Sequence, residues 1–318
     1  MLKTSEVWMV LAGYMQEGSS FMKLPFKFGS REVVTLNIEG NSLRLLVAKG
    51  SKVTQWAEKM IAPGLIQEGL VLDTAAVGAA IDELFTDNDV PRKGVVASLT
   101  GLRAIPRVLT LPKIKANLLD NAVRREARKE MPLALDTLYL SWKTVAEKGD
   151  QRQIYLLGVS RELLDAYMQA LQAAAVVPRL MDLKPLALVR AIGRDETVIA
   201  DLEDESLTIV LVVDSIPVIM RSFPFEREPG PVNVRIDQLV SELTQTIRFY
   251  NESHRTRTLN VTTPVCLTGS AMSDHQTVAN LQAMLDRPVE VPDCPLEHPS
   301  DLPVPSFLVN VGLVMKKT

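Results

Sequence analysis

The chain has 318 residues, 47% of them hydrophobic and 23% charged, with a formal net charge of −3. That balance supports one large or two medium hydrophobic cores and gives no electrostatic ground for binding nucleic acid. Two cysteines, Cys266 and Cys294, and three histidines, His254, His275 and His298, make no disulfide framework and no metal-ligand motif, so neither is expected.

The first apolar run, residues 7–15, is far shorter than the ~20 residues a spanning helix needs. Glu6 precedes it and Gln16-Glu17-Gly18 follows without a small-residue cleavage site, which argues against a signal peptide. Residues 1–30 are expected to be a disordered extension, with Met22 as an alternative start. A first strand, turn and strand follow at residues 36–45, then a turn at Lys49-Gly50-Ser51 into a third strand. Asp73 is placed to cap a helix with the stripe Val77, Ala80, Ile81, Leu84 and Phe85. Residues 95–99 read as a strand.

A block of order β-α-β-β-α-β comes next. Its strands are 107–111, 138–145, 153–159 and 177–181. Its first helix carries Leu118, Leu119, Ala122, Val123, Ala127 and Met131; its second is capped by Ser160 and carries Leu163, Leu164, Tyr167, Met168 and Leu171. A second meander begins near residue 200, turning at Asp214-Ser215. The proline-rich residues 224–231 read as a loop. A helix of about four turns is striped by Ile236, Leu239, Val240, Leu243, Ile247 and Tyr250. Residues 263–267 form a strand entering Thr268-Gly269-Ser270, residues 277–285 a helix, 292–305 a proline-rich loop, and 307–315 a closing helix.

The two meanders echo one another. Leu36-Asn37-Ile38-Glu39-Gly40-Asn41-Ser42-Leu43-Arg44-Leu45 aligns with Ala200-Asp201-Leu202-Glu203-Asp204-Glu205-Ser206-Leu207-Thr208-Ile209 at a constant offset, with Glu, Ser and Leu identical. Ten residues of hairpin can agree by chance; the matching third strands favour duplication. The expected architecture is therefore α/β. It is a duplicated fold divided into 31–103 (first half), 104–183 (inserted small α+β subdomain), 184–195 (return to the first half) and 196–318 (second half).

This plan resembles the actin-like, ribonuclease-H-like superfamily, and the placement of the insertion is similar to the PilM and FtsA families. The residues that carry the likeness to PilM are Leu111-Pro112, Arg124-Arg125-Glu126-Ala127-Arg128-Lys129-Glu130-Met131-Pro132 and Leu140-Ser141-Trp142. With them go Met181-Asp182-Leu183-Lys184-Pro185-Leu186-Ala187-Leu188-Val189-Arg190-Ala191, Arg248-Phe249-Tyr250, Leu267-Thr268-Gly269 and Asn310-Val311-Gly312-Leu313. An FtsA-like chain would be expected to carry a terminal amphipathic membrane helix; this one ends in Lys316-Lys317-Thr318, which favours PilM.

The resemblance implies that the two aligned turns correspond to phosphate loops of the form Asp-x-Gly-x-(Ser/Thr). The implied nucleotide positions are Asn37, Glu39, Gly40, Asn41, Ser42, Asp201, Glu203 and Ser206, with Glu242, Gly269, Ser270 and Ala271 at the adenosine. This chain departs from that form. Asn37 lacks the charge that would organise magnesium, and both loop glycines are glutamates, Glu39 and Glu203. Carboxylates facing a triphosphate would cost several kcal/mol, at about 4 kcal/mol per close pair for an effective dielectric near 20. The site is expected to be degenerate, Glu39 and Glu203 to be solvated turn residues, and the chain to lack ATPase activity and any cofactor. ATP with magnesium in an active switch is the alternative, and a small-molecule kinase a second. Walker, nucleophile-elbow and EF-hand patterns are absent from the sequence.

The resemblance also implies a partner: a PilN-like single-span membrane protein whose short cytoplasmic peptide lies against the insertion, beside other proteins of a pilus platform. The implied lining is the strand 107–112 and helix 118–131, with Arg107, Leu109, Leu111, Arg124, Arg125 and Arg128 as the contact residues. Placement would be cytoplasmic and peripheral to the inner membrane, through that partner or the basic and aromatic stretch 22–28.

Overall fold

The computed structural model describes residues 32–102, 104–131, 135–225, 232–273 and 275–316. The expected extension, residues 1–30, lies outside them.

β1 (Glu32–Glu39), β2 (Ser42–Lys49) and β3 (Lys52–Met60) form an antiparallel meander. Gly40 turns the first hairpin at φ 52° and Gly50 the second at φ 62°, the left-handed region that side chains resist. A small hairpin, β4 (Ile66–Gln67) and β5 (Leu70–Val71), leads to α1 (Thr74–Asp87). Asp73 caps α1 as predicted, its Oδ1 accepting from the amides of Ala75 and Ala76. β6 (Lys93–Leu99) runs parallel to β1.

The insertion is built from β7 (Ala104–Pro112), α2 (Ala116–Glu130), β8 (Leu138–Lys148) and β9 (Gln151–Ser160). Its three-stranded sheet has the order β7-β9-β8. Leu119, Val123 and Ala127 of α2 pack on Leu109, Leu111, Ile154 and Leu156, giving the unit its own core. It ends earlier than residue 183. α3 (Arg161–Ala173) packs instead on α1, burying Leu163, Leu164, Tyr167 and Leu171 in the first half's core. β10 (Val177–Leu183) then joins β6 in parallel. The β-α-β-β-α-β order was read correctly, but element order alone does not say which sheet a strand completes.

α4 (Lys184–Ile192) leads into β11 (Thr197–Leu202), β12 (Ser206–Val213) and β13 (Ile216–Pro224). α5 (Val232–Ser253), β14 (Val265–Thr268), α6 (His275–Met284), β15 (Val289–Glu290) and α7 (Val304–Val314) complete the chain. α5 has 22 residues, about six turns rather than four. The large sheets have matching orders, β3-β2-β1-β6-β10 and β13-β12-β11-β14-β15. Their registers match too: Leu36 faces Ala97, and Ala200 faces Leu267. The sequence echo is thus a structural duplication.

The halves share a core. Leu46 and Val96 of the first and Ile199 and Val210 of the second pack with Phe307 and Val311 of α7. α7 crosses α4 closely because Gly312 lies against the Ala187 carbonyl, where a Cβ would overlap it. Among the described residues, no helix is long and apolar enough to cross a membrane.

Candidate functional site

The turn after β1 and the turn after β11 face each other across the junction of the halves. Each comes from a hairpin whose strands are buried on both faces, so polar side chains at the strand ends must find partners inside the protein. Glu39 Oε2 lies 2.6 Å from Lys184 Nζ, and Ser206 Oγ donates to Glu39 Oε1 at 2.7 Å. The same Lys184 ammonium lies 2.6 Å from Asp201 Oδ2. Lys184 and Asp201 are each only 1% exposed at the side chain.

A second set sits alongside. The Arg44 guanidinium holds Glu203 through two parallel hydrogen bonds of 2.7 and 2.9 Å. Its Nε donates to Glu58 Oε1 at 2.9 Å and one terminal nitrogen to the Ser306 carbonyl at 3.1 Å. The Ser270 amide donates to Glu203 Oε2 at 3.2 Å. Arg235 reaches the Glu203 carbonyl at 3.3 Å and Asp204 at 3.1 Å. Such forked arginine–carboxylate pairs fix geometry as well as charge.

The electrostatics follow from burial and neighbours. Burial works against the charge on Lys184, but Asp201, Glu39 and Glu203 outweigh it and raise its pKa. Burial likewise opposes the charge on Arg44, and Glu203 and Glu58 prevail. Burial would lift Glu203, yet Arg44 and Lys184 bring it down to about 2. Asp201 goes the other way: burial, reinforced by Glu203 and Glu39, overcomes Lys184 and pushes it up to about 7.

Glu39 and Glu203, expected as solvated turn residues, are 7% and 2% exposed. That expectation is corrected, and the reason is the two cations. Neither Lys184 nor Arg44 was singled out from the sequence. A signal existed: each is a lone charge in an apolar run, Leu43-Arg44-Leu45-Leu46 and Leu183-Lys184-Pro185-Leu186. A cation in such a run needs a buried carboxylate.

The other expected positions divide. Ser98 Oγ donates to Asn37 Oδ1 at 2.5 Å, holding Asn37 inside the first half. Ser42 Oγ donates to Glu58 Oε1 at 2.5 Å and so joins the Arg44 set. Gly40 lies against the Glu205 side chain, while Asn41 offers its carbonyl to the Ile61 amide. Gly269, at φ 99°, is pressed on the Leu202 backbone and donates to the Pro305 carbonyl at 3.1 Å. Ala271 lies in the short 3-10 turn that follows, and Glu242 faces Arg221 at 3.7 Å.

The second candidate surface is on the insertion. Among the described strands β7 pairs only with β9, so its other edge is unpaired, with β13 approaching β7. Leu109 and Leu111 point into the small core, 4% and 7% exposed, which leaves Val108 on the outward face of β7; Arg107 lies on the same face as Leu109 but is exposed beyond the small core. On α2, Leu118 is half-exposed, and Arg125 and Arg128 stand on the same face at helical spacing, both exposed. Arg124 is drawn aside by Asp120, 2.8 Å away.

A family model described as type IV pilus assembly protein PilM matches residues 36–222. A solved structure described as a PilM-PilN type IV pilus biogenesis complex is 22% identical, covering 91% of this chain and 99% of its own, with a TM-score of 0.73. The ethanolamine utilization protein EutJ from Carboxydothermus hydrogenoformans is 11% identical, covering 91% of this chain and 92% of its own, with a TM-score of 0.54. No curated protein matches.

Proposed function

The chain belongs to the type IV pilus assembly protein PilM family, and we propose on that premise that it is a cytoplasmic docking scaffold. Its partner is a PilN-like single-span membrane protein, whose short cytoplasmic peptide it receives beside the insertion. The observation that carries the reading is the unpaired edge of β7 next to the unburied stripe Leu118, Arg125 and Arg128 of α2. An extended peptide adds to such an edge through main-chain hydrogen bonds, and an adjacent apolar and basic stripe selects its side chains. The solved relative described as a PilM-PilN complex supports a partner of this kind. Attachment to the membrane and to other platform proteins runs through that partner.

The proposed scaffold turns over no ATP. What supports this is the donor set at the facing turns, which does not suit magnesium and a triphosphate. The two carboxylates at the loop positions are engaged by Lys184 and Arg44, the cations best placed to meet phosphate. Asn37 is bound to Ser98 and brings no charge. The deciding experiment is calorimetry of the full chain with the cytoplasmic peptide of a PilN-like single-span protein from the same organism. Micromolar binding that is unaltered by Mg-ATP is expected. A folded protein that ignores the peptide at high micromolar concentration would defeat the reading.

A further inference from the structure

Glu39, Asp201 and Glu203 share the buried cations Lys184 and Arg44, and these contacts cross from one half of the duplicated fold to the other. Arg44 on β2 grips Glu203 beyond β11, and Lys184 at the start of α4 joins Glu39 of β1 to Asp201 of β11. Ser206 of the second half donates to Glu39 of the first. Every one of these side chains is nearly withdrawn from water. We propose that these residues form an internal latch: the chain's own carboxylates close the junction between the halves, so the closed arrangement needs no small anion.

The physical ground is the cost of the alternative. Separating the halves would leave charges partly dry and unpaired until water entered, and a buried ion lacking its partner is strongly unfavourable. The forked Arg44–Glu203 geometry also makes the closure angular, since two parallel hydrogen bonds fix orientation as well as distance. The groups facing the latch are Lys184 of α4, Arg44 of β2, Glu58 of β3, Tyr167 of α3, Arg235 of α5 and Glu205 in the turn before β12. Lys184 is the cation that joins Glu39 of the first half to Asp201 of the second, so its loss breaks one of the two cross-half ionic contacts of the latch outright. The inference rests on the proposed absence of nucleotide function only in its claim that closure is ligand-free.

The test is the distance between the halves. Spin labels at Asp87→Cys on α1 and Gln245→Cys on α5, both exposed sites, report it in the full chain with Cys294→Ser. The parent is expected to give one narrow distribution that Mg-ATP leaves unchanged. Lys184→Met is expected to add a longer-distance population of about 10% or more. Should Lys184→Met fail to fold, Glu39→Gln with Glu203→Gln retains the shapes, removes two charges, and is expected to give the same second population. A folded variant with the parent's single narrow distribution would overturn the latch alone. A parent distribution that is broad and narrows on adding Mg-ATP would overturn both the latch and the non-nucleotide reading. Neither outcome depends on the peptide, so the docking proposal stands or falls separately.

Discussion

Removing Arg44 should damage the protein more than removing Arg44 and Glu203 together. At the observed 2.7–2.9 Å, the pair attracts by about 6 kcal/mol at an effective dielectric near 20. Withdrawing each ion from water costs several kcal/mol, so the intact pair is worth little more than a well-packed apolar pair. Arg44→Met breaks that balance, because Glu203 stays buried with only the Ser270 amide and the more distant Lys184 to offset it. The expected loss is about 3–5 kcal/mol, a large part of a total of about 5–15 kcal/mol. Glu203→Met strands Arg44 less completely, since Glu58 and the Ser306 carbonyl remain. The double variant should lose less than Arg44→Met alone, so the coupling should exceed the whole Glu203→Met loss, at about 2 kcal/mol or more. Urea unfolding at pH 7, followed by circular dichroism, measures all four proteins. The pair also carries a pH signature. Glu203 is held at about 2 against an ordinary 4.5, so its contribution is complete above pH 4.5 and fades as pH falls towards 2. Singles costing under about 1 kcal/mol, or losses that add within about 0.5 kcal/mol, would refute the reasoning.

Asp201 should show the opposite dependence. Its folded value of about 7 lies above its ordinary 3.8, so the folded state holds the extra proton between them and parent stability falls as pH rises through that window. Asp201→Asn should therefore gain on the parent between pH 4 and 8; a difference that is flat across the titration would contradict the assignment. Gly312→Val should force α7 from α4 at the Ala187 carbonyl and cost about 3 kcal/mol or more, seen as a lower melting temperature; an unchanged melt would show that the crossing can relax. Charge reversal at the exposed Arg125 and Arg128 should weaken peptide binding by a few tenths to a few kcal/mol and leave the melting temperature nearly unaltered. Equal affinity would remove α2 from the docking surface.

The duplication was legible because it is written in local pattern. The offset between Glu39 and Glu203, and between Ser42 and Ser206, matches equivalent turns of two equivalent sheets. Asp73 and Ser160 were legible for a similar reason, since a cap acts within three residues. The extent of the insertion was not, because β10 pairs with β6 across more than seventy residues of sequence. The cleft was half legible. Its carboxylates were found from the resemblance, but their fate depends on Arg44 and Lys184, which meet them only after folding. Leu109 and Leu111 illustrate the same limit: β7 was found, but which of its faces the small core would cover depended on α2.

The most direct test of the scaffold reading is calorimetric titration of the full chain with the cytoplasmic peptide of a PilN-like single-span protein from the same organism, carried out with and without Mg-ATP. The account predicts one-to-one binding at micromolar affinity, identical in both conditions. Binding that appears only when ATP is present, or no binding by folded protein at high micromolar peptide, would contradict it.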